Sequence, residues 1–171
     1  MNTLYTLGYE GSDVQQFIAA LLKARVEVVV DVRAVPLSRK KGFSKRRLTA
    51  ELAAAGIEYI HFVELGNPRN GRDAAKAGDA TEFHRIYSGH LKSAAAKKSL
   101  KRLAELAVSR PTCLVCFERE PSECHRTLVA TELVRCGIKR IDLFSDSPNQ
   151  NVRANNIMRG RNLGQGVAAA E

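Results

Sequence analysis

Thr112–Arg126 reads TCLVCFEREPSECHR, and two patterns meet inside it. Cys113-Leu114-Val115-Cys116-Phe117 is an unbroken apolar run of strand length, the pattern of a strand covered on both faces. Glu118-Arg119-Glu120-Pro121 is a turn. Helical spacing follows, with Leu128, Val129, Leu133 and Val134 on the inner side of a helix predicted over roughly 122–135, opening with Cys124-His125-Arg126. The junction gathers two thiols, an imidazole, carboxylates and two guanidinium groups between Cys116 and Arg126. In α/β sheets ligands bind at the carboxyl ends of strands, and backbone N–H groups at a helix start attract anions.

The same alternation continues on both sides. Leu4–Leu7 reads as a strand closed by Gly8-Tyr9-Glu10-Gly11. Ser12 is the expected N-cap of a helix with Val14, Phe17, Ile18, Leu21 and Leu22 on its apolar side. Val26–Val32 (VEVVVDV) is a second buried strand. Ser44 is placed to cap a helix with Leu48 and Leu52 inward and Gly56 as its stop, and Ile57–Phe62 is a third strand. Glu64–Asp79 (ELGNPRNGRDAAKAGD) reads as a long loop, a length that is uncommon unless functional. Helical spacing returns at Phe83-Ile86-Tyr87 and Leu100-Leu103-Leu106, and Ile138–Phe144 makes a fifth strand.

Alternating strands and helices predict a single α/β domain over 1–144. It is a Rossmann-like three-layer sandwich, with a five-stranded, mainly parallel sheet flanked by helices on both faces. Residues 145–171, dominated by Asn, Gln, Gly, Ser and Ala, read as a flexible tail. Such a sheet brings Gly8–Gly11, Arg33–Arg39, His61–Gly66 and Cys116–Arg126 to one rim.

Composition sets the partners. The chain has 171 residues and a net charge of +9. Three arginines against two acids leave +1 in the tail, so +8 belongs to residues 1–144. Arg39, Lys40, Lys41, Lys45, Arg46 and Arg47 form a cluster with no acid between Val32 and Ala50, so an anionic small molecule or nucleic acid is the expected partner. No apolar run approaches the ~20 residues needed to cross a bilayer. The first residues lack a charged and apolar leader pattern. A cytoplasmic chain without membrane contact is therefore expected, and Cys113, Cys116, Cys124 and Cys136 are laid out poorly for a disulfide framework. Cys136, late in a helix, reads as a packing residue.

Cys116 and Cys124 are candidate nucleophiles, each near a helix start and near Arg119 or Arg126, which favour thiolate; a buried packing role is the alternative for both. His125 and Glu118 are candidate proton-transfer groups. Arg33 and Arg126 can clamp a phosphate or carboxylate, or bridge Asp31 and Glu118 instead. Tyr9 and Glu10 either contact a ligand or cap their turn. The spacing of Cys116, Cys124 and His125 is not the paired spacing of zinc sites, so no metal or other cofactor is predicted, with zinc the residual option.

TLGYEG, DVRAVPLSRKKGFSKRRL, YIHFVELGNPR and CFEREPSECHR together resemble the DUF488 family of bacterial and archaeal proteins, from about Thr6 to Phe144. The resemblance implies a single α/β domain and supplies no activity. It singles out Asp31, Arg33, Pro36, Ser38, Glu64, Leu65, Gly66, Cys116, Glu118, Cys124, His125 and Arg126. Where many members read Gly-His-Ser, this chain has Gly8-Tyr9-Glu10. A fainter likeness is to rhodanese-type domains, in which a D-V-R strand end meets a cysteine loop; here Glu118, Glu120 and Pro121 interrupt that loop.

The leading expectation is an enzyme acting on a phosphate-bearing substrate, a nucleotide or nucleic acid. Its catalytic groups are Glu118, His125, Cys116 and Cys124, and Arg33, Ser38, Arg119, Arg126, Tyr9 and Glu64 bind the substrate. The alternatives are a non-catalytic nucleic-acid-binding module using Arg39, Lys40, Lys41, Lys45 and Arg46, and a rhodanese-like sulfurtransferase or cysteine phosphatase.

Overall fold

The most apolar strands take the middle of the sheet. In the computed structural model, which describes residues 3–145, β1 (Thr3–Gly8), β2 (Val28–Asp31), β3 (Glu58–His61), β4 (Thr112–Cys116) and β5 (Lys139–Leu143) form one sheet in the order β3-β2-β4-β1-β5. Every pairing is parallel. β4 and β2 are buried at every position, whereas β3 and β5, with Glu58, Lys139, Arg140 and Asp142, are the half-exposed edges. The three-layer α/β architecture expected from the alternation is the one observed.

Alternate strand residues feed two cores. Leu7, Val29, Cys113 and Val115 pack against α1 (Val14–Lys23) and α2 (Lys45–Ala54) through Phe17, Leu21, Leu48 and Leu52. Val28, Val30, Leu114 and Cys116 face α4 (Ala80–Leu91), α5 (Ala94–Ser109) and α6 (His125–Arg135) through Tyr87, Leu103 and Val129. Leu114 is wholly enclosed at the centre of the second core.

Several local expectations need correction. Asp13, not Ser12, caps α1, forming a reciprocal capping box with Gln16. The segment read as a long loop holds a 3-10 turn at Val63–Leu65 and a helix, α3 (Arg69–Lys76), that starts directly after Pro68. Its sequence, RNGRDAAK, shows no apolar stripe because only Gly71 is buried. The 122–135 helix is divided: Pro121–Glu123 is a 3-10 turn, and α6 begins at His125 with Cys124 as N-cap. Cys136 is exposed rather than packed, and Leu22 and Val134 are half-exposed. Apart from Ser145, whose buried hydroxyl pairs with that of Ser12, the predicted tail lies outside the described residues. No helix among the described residues is long and apolar enough to cross a membrane.

Leu114→Ala is expected to lower stability by about 2–5 kcal/mol in urea unfolding. Val63→Ala, at a half-exposed position, is expected to stay within about 0.5 kcal/mol.

Candidate functional site

β1 and β4 lie side by side, yet the helices that follow them cover opposite faces. Their exit loops therefore part and open a crevice at the carboxyl ends, the usual ligand position in such sheets. Beyond the strands the loops stay zipped, with Tyr9 N–H donating to Cys116 O at 3.2 Å and Glu10 N–H to Phe117 O at 2.8 Å. Gly8 makes this approach possible, since a Cβ there would stand 1.8 Å from the Glu118 carbonyl oxygen.

Arg126 fixes the loop from the other side. Its guanidinium, fully buried, donates to the carbonyls of Glu118 and Arg119 and to Thr6 Oγ1 on β1. Thr6 in turn donates to Asp142 Oδ1 at 2.6 Å. Arg126 was expected to hold an anion. It does not line the cleft, and its donors are already taken by the protein.

The loop delivers Cys116, Glu118, Cys124 and His125 to one point. One donor atom from each lies within 4.8 Å of all the others. Cys116 Sγ donates to Glu118 Oε2 at 3.2 Å, and His125 Nδ1 stands 3.7 Å from Cys116 Sγ and 3.9 Å from Cys124 Sγ. His125 Nε2 lies 2.7 Å from the Val32 carbonyl. A carbonyl only accepts, so Nε2 carries the hydrogen and Nδ1 faces the thiols. The edge of Tyr87 packs on the ring, and the Tyr87 hydroxyl is held by Leu65 O.

The cluster's electrostatics divide the two thiols. Burial works against a Cys124 thiolate, but hydrogen bonds from Cys116 and His125, with the charges of His125 and Arg126, outweigh it and hold this thiol well below its ordinary value. Burial also opposes charge on His125, and the hydrogen bond and charge of Cys124 raise it nonetheless. Cys116 is pushed well up by its hydrogen bond to Cys124, by burial and by its anionic neighbours. Glu118 is raised to about 7 by burial and by Cys124. Cys113 faces the opposite core, away from the cluster, and burial pushes its thiol up.

Above the cluster is a cleft of about 730 Å³ with Cys116, Glu118 and His125 at its base. A neighbouring hollow of about 560 Å³ shares Asn67, Arg72, Lys76 and Glu118 with it. Tyr9, Arg33, Ser38, Arg39 and Lys40 also line the cleft. Arg33 is not free to clamp a ligand: it donates to Asp31 through Nε and Nη2, and through Nη1 to Tyr9 Oη at 2.9 Å and Phe43 O at 2.8 Å. Tyr59 adds a 2.6 Å bond to Asp31. Arg33 thus organises the wall, with Tyr9 stacked on Phe43 beside it. Ser38 is bonded to Ser44 and accepts from Lys40 N–H.

Two expected binding residues fall elsewhere. Glu64 accepts from Ser99 Oγ beside α5, and the Arg119 side chain pairs with Glu120 and stacks over Phe144. Neither lines the cleft. Of the basic cluster, Arg39 and Lys40 do, with Lys40 Nζ reaching Tyr9 O at 3.3 Å. Lys41, Lys45 and Arg46 stand exposed beside it, and Lys45 Nζ lies 3.5 Å from His61 Nδ1.

Sequence reasoning passed over Asn67, Arg72 and Lys76. All three lie in or against α3, the helix mistaken for loop. The available signal was Asn67-Pro68 ahead of a polar run, since proline favours a helix start. Arg72 donates to Asn67 O at 2.8 Å. Asn67 Oδ1 is the buried side-chain polar atom without a hydrogen-bond partner among the described residues.

Fold and site together define an α/β protein with a buried cysteine–histidine–carboxylate cluster under a basic cleft. A family model described as "Domain of unknown function DUF488" matches residues 13–133, and the chain belongs to the DUF488 family. No curated protein and no solved structure matches it.

Arg126→Ala leaves two loop carbonyls unsatisfied and removes a buried charge from its acceptors. It is expected to cost about 3–5 kcal/mol in denaturant unfolding. A loss under about 1 kcal/mol would show that the guanidinium does not hold the loop.

Proposed function

We propose that this chain is an enzyme that binds a phosphate-bearing organic substrate, a nucleotide or nucleic acid, in the rim cleft and acts on it with the Cys116–Glu118–Cys124–His125 cluster. The observation that carries this reading is the cleft's make-up. Among the described residues, Arg33, Arg39, Lys40, Arg72 and Lys76 line it against a single acid, Glu118, and that acid belongs to the cluster at the base. With Arg33 paired to Asp31, the cations for an anion are Arg39, Lys40, Arg72 and Lys76. The side chains of Arg39 and Lys76, both in the cleft lining, make no hydrogen bond or ion pair among the described residues. Exposed Val35, Leu37 and Phe117 also line the cleft, so an apolar or aromatic group is favoured beside the charge. The volume is in the range of small-molecule sites, roughly 300–1,000 Å³. Glu118 is the carboxylate positioned to move a proton at the substrate, and His125 stands beside it.

A polynucleotide is favoured over a free nucleotide by α2. Lys45, Arg46 and Arg47 fill its first turn, with no acid there. Cations at a helix N-terminus oppose the macrodipole at a cost of roughly 0.3–1 kcal/mol each, a strain that a phosphate backbone relieves. In this reading the strand end sits in the cleft and the chain continues over α2.

Binding of a fluorescent mononucleotide and a single-stranded oligonucleotide, followed by anisotropy against salt, tests both parts. Arg72→Ala/Lys76→Ala is expected to weaken both probes by about tenfold or more. Neutralising Lys41, Lys45 and Arg46 together is expected to weaken only the oligonucleotide and to reduce its salt slope by about 2. Absence of binding by either probe would overturn the reading, as would indifference to the cleft pair.

A further inference from the structure

We infer that Cys116, Cys124, His125 and Glu118 form a binding site for a single thiophilic divalent cation, with zinc the favoured metal. This deepens the enzyme reading at the same site, although occupancy itself does not depend on what the cleft binds.

Four observations converge. The first is the donor set, two sulfurs, one imidazole nitrogen and one carboxylate oxygen, which suits zinc more than the all-oxygen sites of magnesium or calcium. The second is spacing. Tetrahedral zinc with ordinary Zn–S, Zn–N and Zn–O lengths holds its ligand atoms about 3.4–3.8 Å apart. Three of the six separations are 3.2 Å for Cys116–Glu118, 3.7 Å for Cys116–His125 and 3.9 Å for Cys124–His125, and all six lie within 4.8 Å, close enough for one ion to draw the ligands in. The third is the histidine's anchor. Metal-bound imidazoles characteristically donate their other N–H to a carbonyl or carboxylate, and His125 Nε2 does this at Val32 O, 2.7 Å away. The fourth is charge. Two thiolates, a carboxylate and a dication sum to −1, and the buried Arg126 guanidinium next to the loop offsets it.

Burial assigns different parts to the ligands. Cys124 is 2% exposed, Cys116 4% and His125 6%, so these three are fixed holders. Glu118 is only partly buried and opens on both the cleft and the neighbouring hollow. It is the ligand that can exchange for water or a substrate oxygen, leaving three protein ligands and one open position, as in catalytic zinc sites. Loading displaces to solvent the protons held on the ligand atoms and changes no oxidation state.

The test is made on the full chain, purified without a metal-binding tag and reconstituted with zinc or cobalt. Expected are about one zinc per chain by elemental analysis and, with cobalt, thiolate-to-metal charge transfer plus the strong visible bands of a tetrahedral site. Iodoacetamide should modify exposed Cys136 at once, and Cys116 and Cys124 only after chelation. Cys136→Ser should keep the metal, Cys116→Ser should lose it, and Glu118→Gln should keep it with at least about tenfold weaker affinity. A folded chain with no bound zinc or cobalt, whose Cys116 and Cys124 alkylate equally with and without chelator, overturns the proposal whatever the folding of the variants. A zinc-loaded chain that binds neither nucleotide probe overturns the enzyme reading and leaves the metal site standing.

Discussion

A buried guanidinium holds the functional end of this molecule together. Arg126 comes from the first turn of α6 and points back under the β4–α6 loop. There it gathers the carbonyls of Glu118 and Arg119 and the hydroxyl of Thr6 on β1, which in turn donates to Asp142 on β5. A charged group with no solvent exposure is tolerated only when its donors are satisfied. Here the satisfaction runs through backbone atoms, so the cost of moving the loop is the cost of stranding both a charge and two carbonyls. Gly8 completes the constraint, because any side chain there would occupy the place of the Glu118 carbonyl. The loop is held from above and below before any side-chain chemistry is considered.

That constraint leaves Glu118 with two separate tasks. Its carbonyl is anchored by Arg126, while its carboxylate is free to face the cluster and the cleft. A rigid backbone carrying one partly exposed carboxylate, beside three nearly enclosed side chains, divides fixed from movable parts within ten residues of chain. The basic residues are divided in a similar way. Arg33 and Arg126 are committed to the architecture, whereas Arg39, Lys40, Arg72 and Lys76 line the cleft. Residue type alone does not separate the two kinds of arginine.

This explains what the sequence disclosed and what it did not. The continuous apolar run of Cys113–Phe117 and the β-branched run of Val26–Val32 name central strands, because a strand buried on both faces has no polar alternative. Parallel pairing then forces the rim segments together, so the cluster of Cys116, Glu118, Cys124 and His125 is legible as a neighbourhood. Its separations are not, because they depend on a 3-10 turn at Pro121–Glu123 that shifts α6 to begin at His125. The role of Arg126 was hidden for a related reason: an arginine in a first helical turn looks like a solvent-facing anion ligand until the acceptors around it are known. Helix α3 was hidden because its one buried residue is a glycine, which contributes no apolar signal.

The cost of keeping thiols, an imidazole and a carboxylate together is best judged from the histidine. Val32 belongs to the turn after β2, so the hydrogen bond at Nε2 ties the ring to a different strand from the one that carries Cys116. The ring cannot rotate to present Nε2 to the thiols without stranding a buried carbonyl, which would cost roughly 1–3 kcal/mol. Tyr87 blocks the remaining freedom from the α4 side. A packing role for His125 would need neither the fixed tautomer nor the approach of two sulfurs to the same nitrogen. Both are what a ligand of a soft cation, or a partner of a thiolate, requires. The core therefore accepts polar groups here because the surrounding strands and helices orient every one of them toward a shared point.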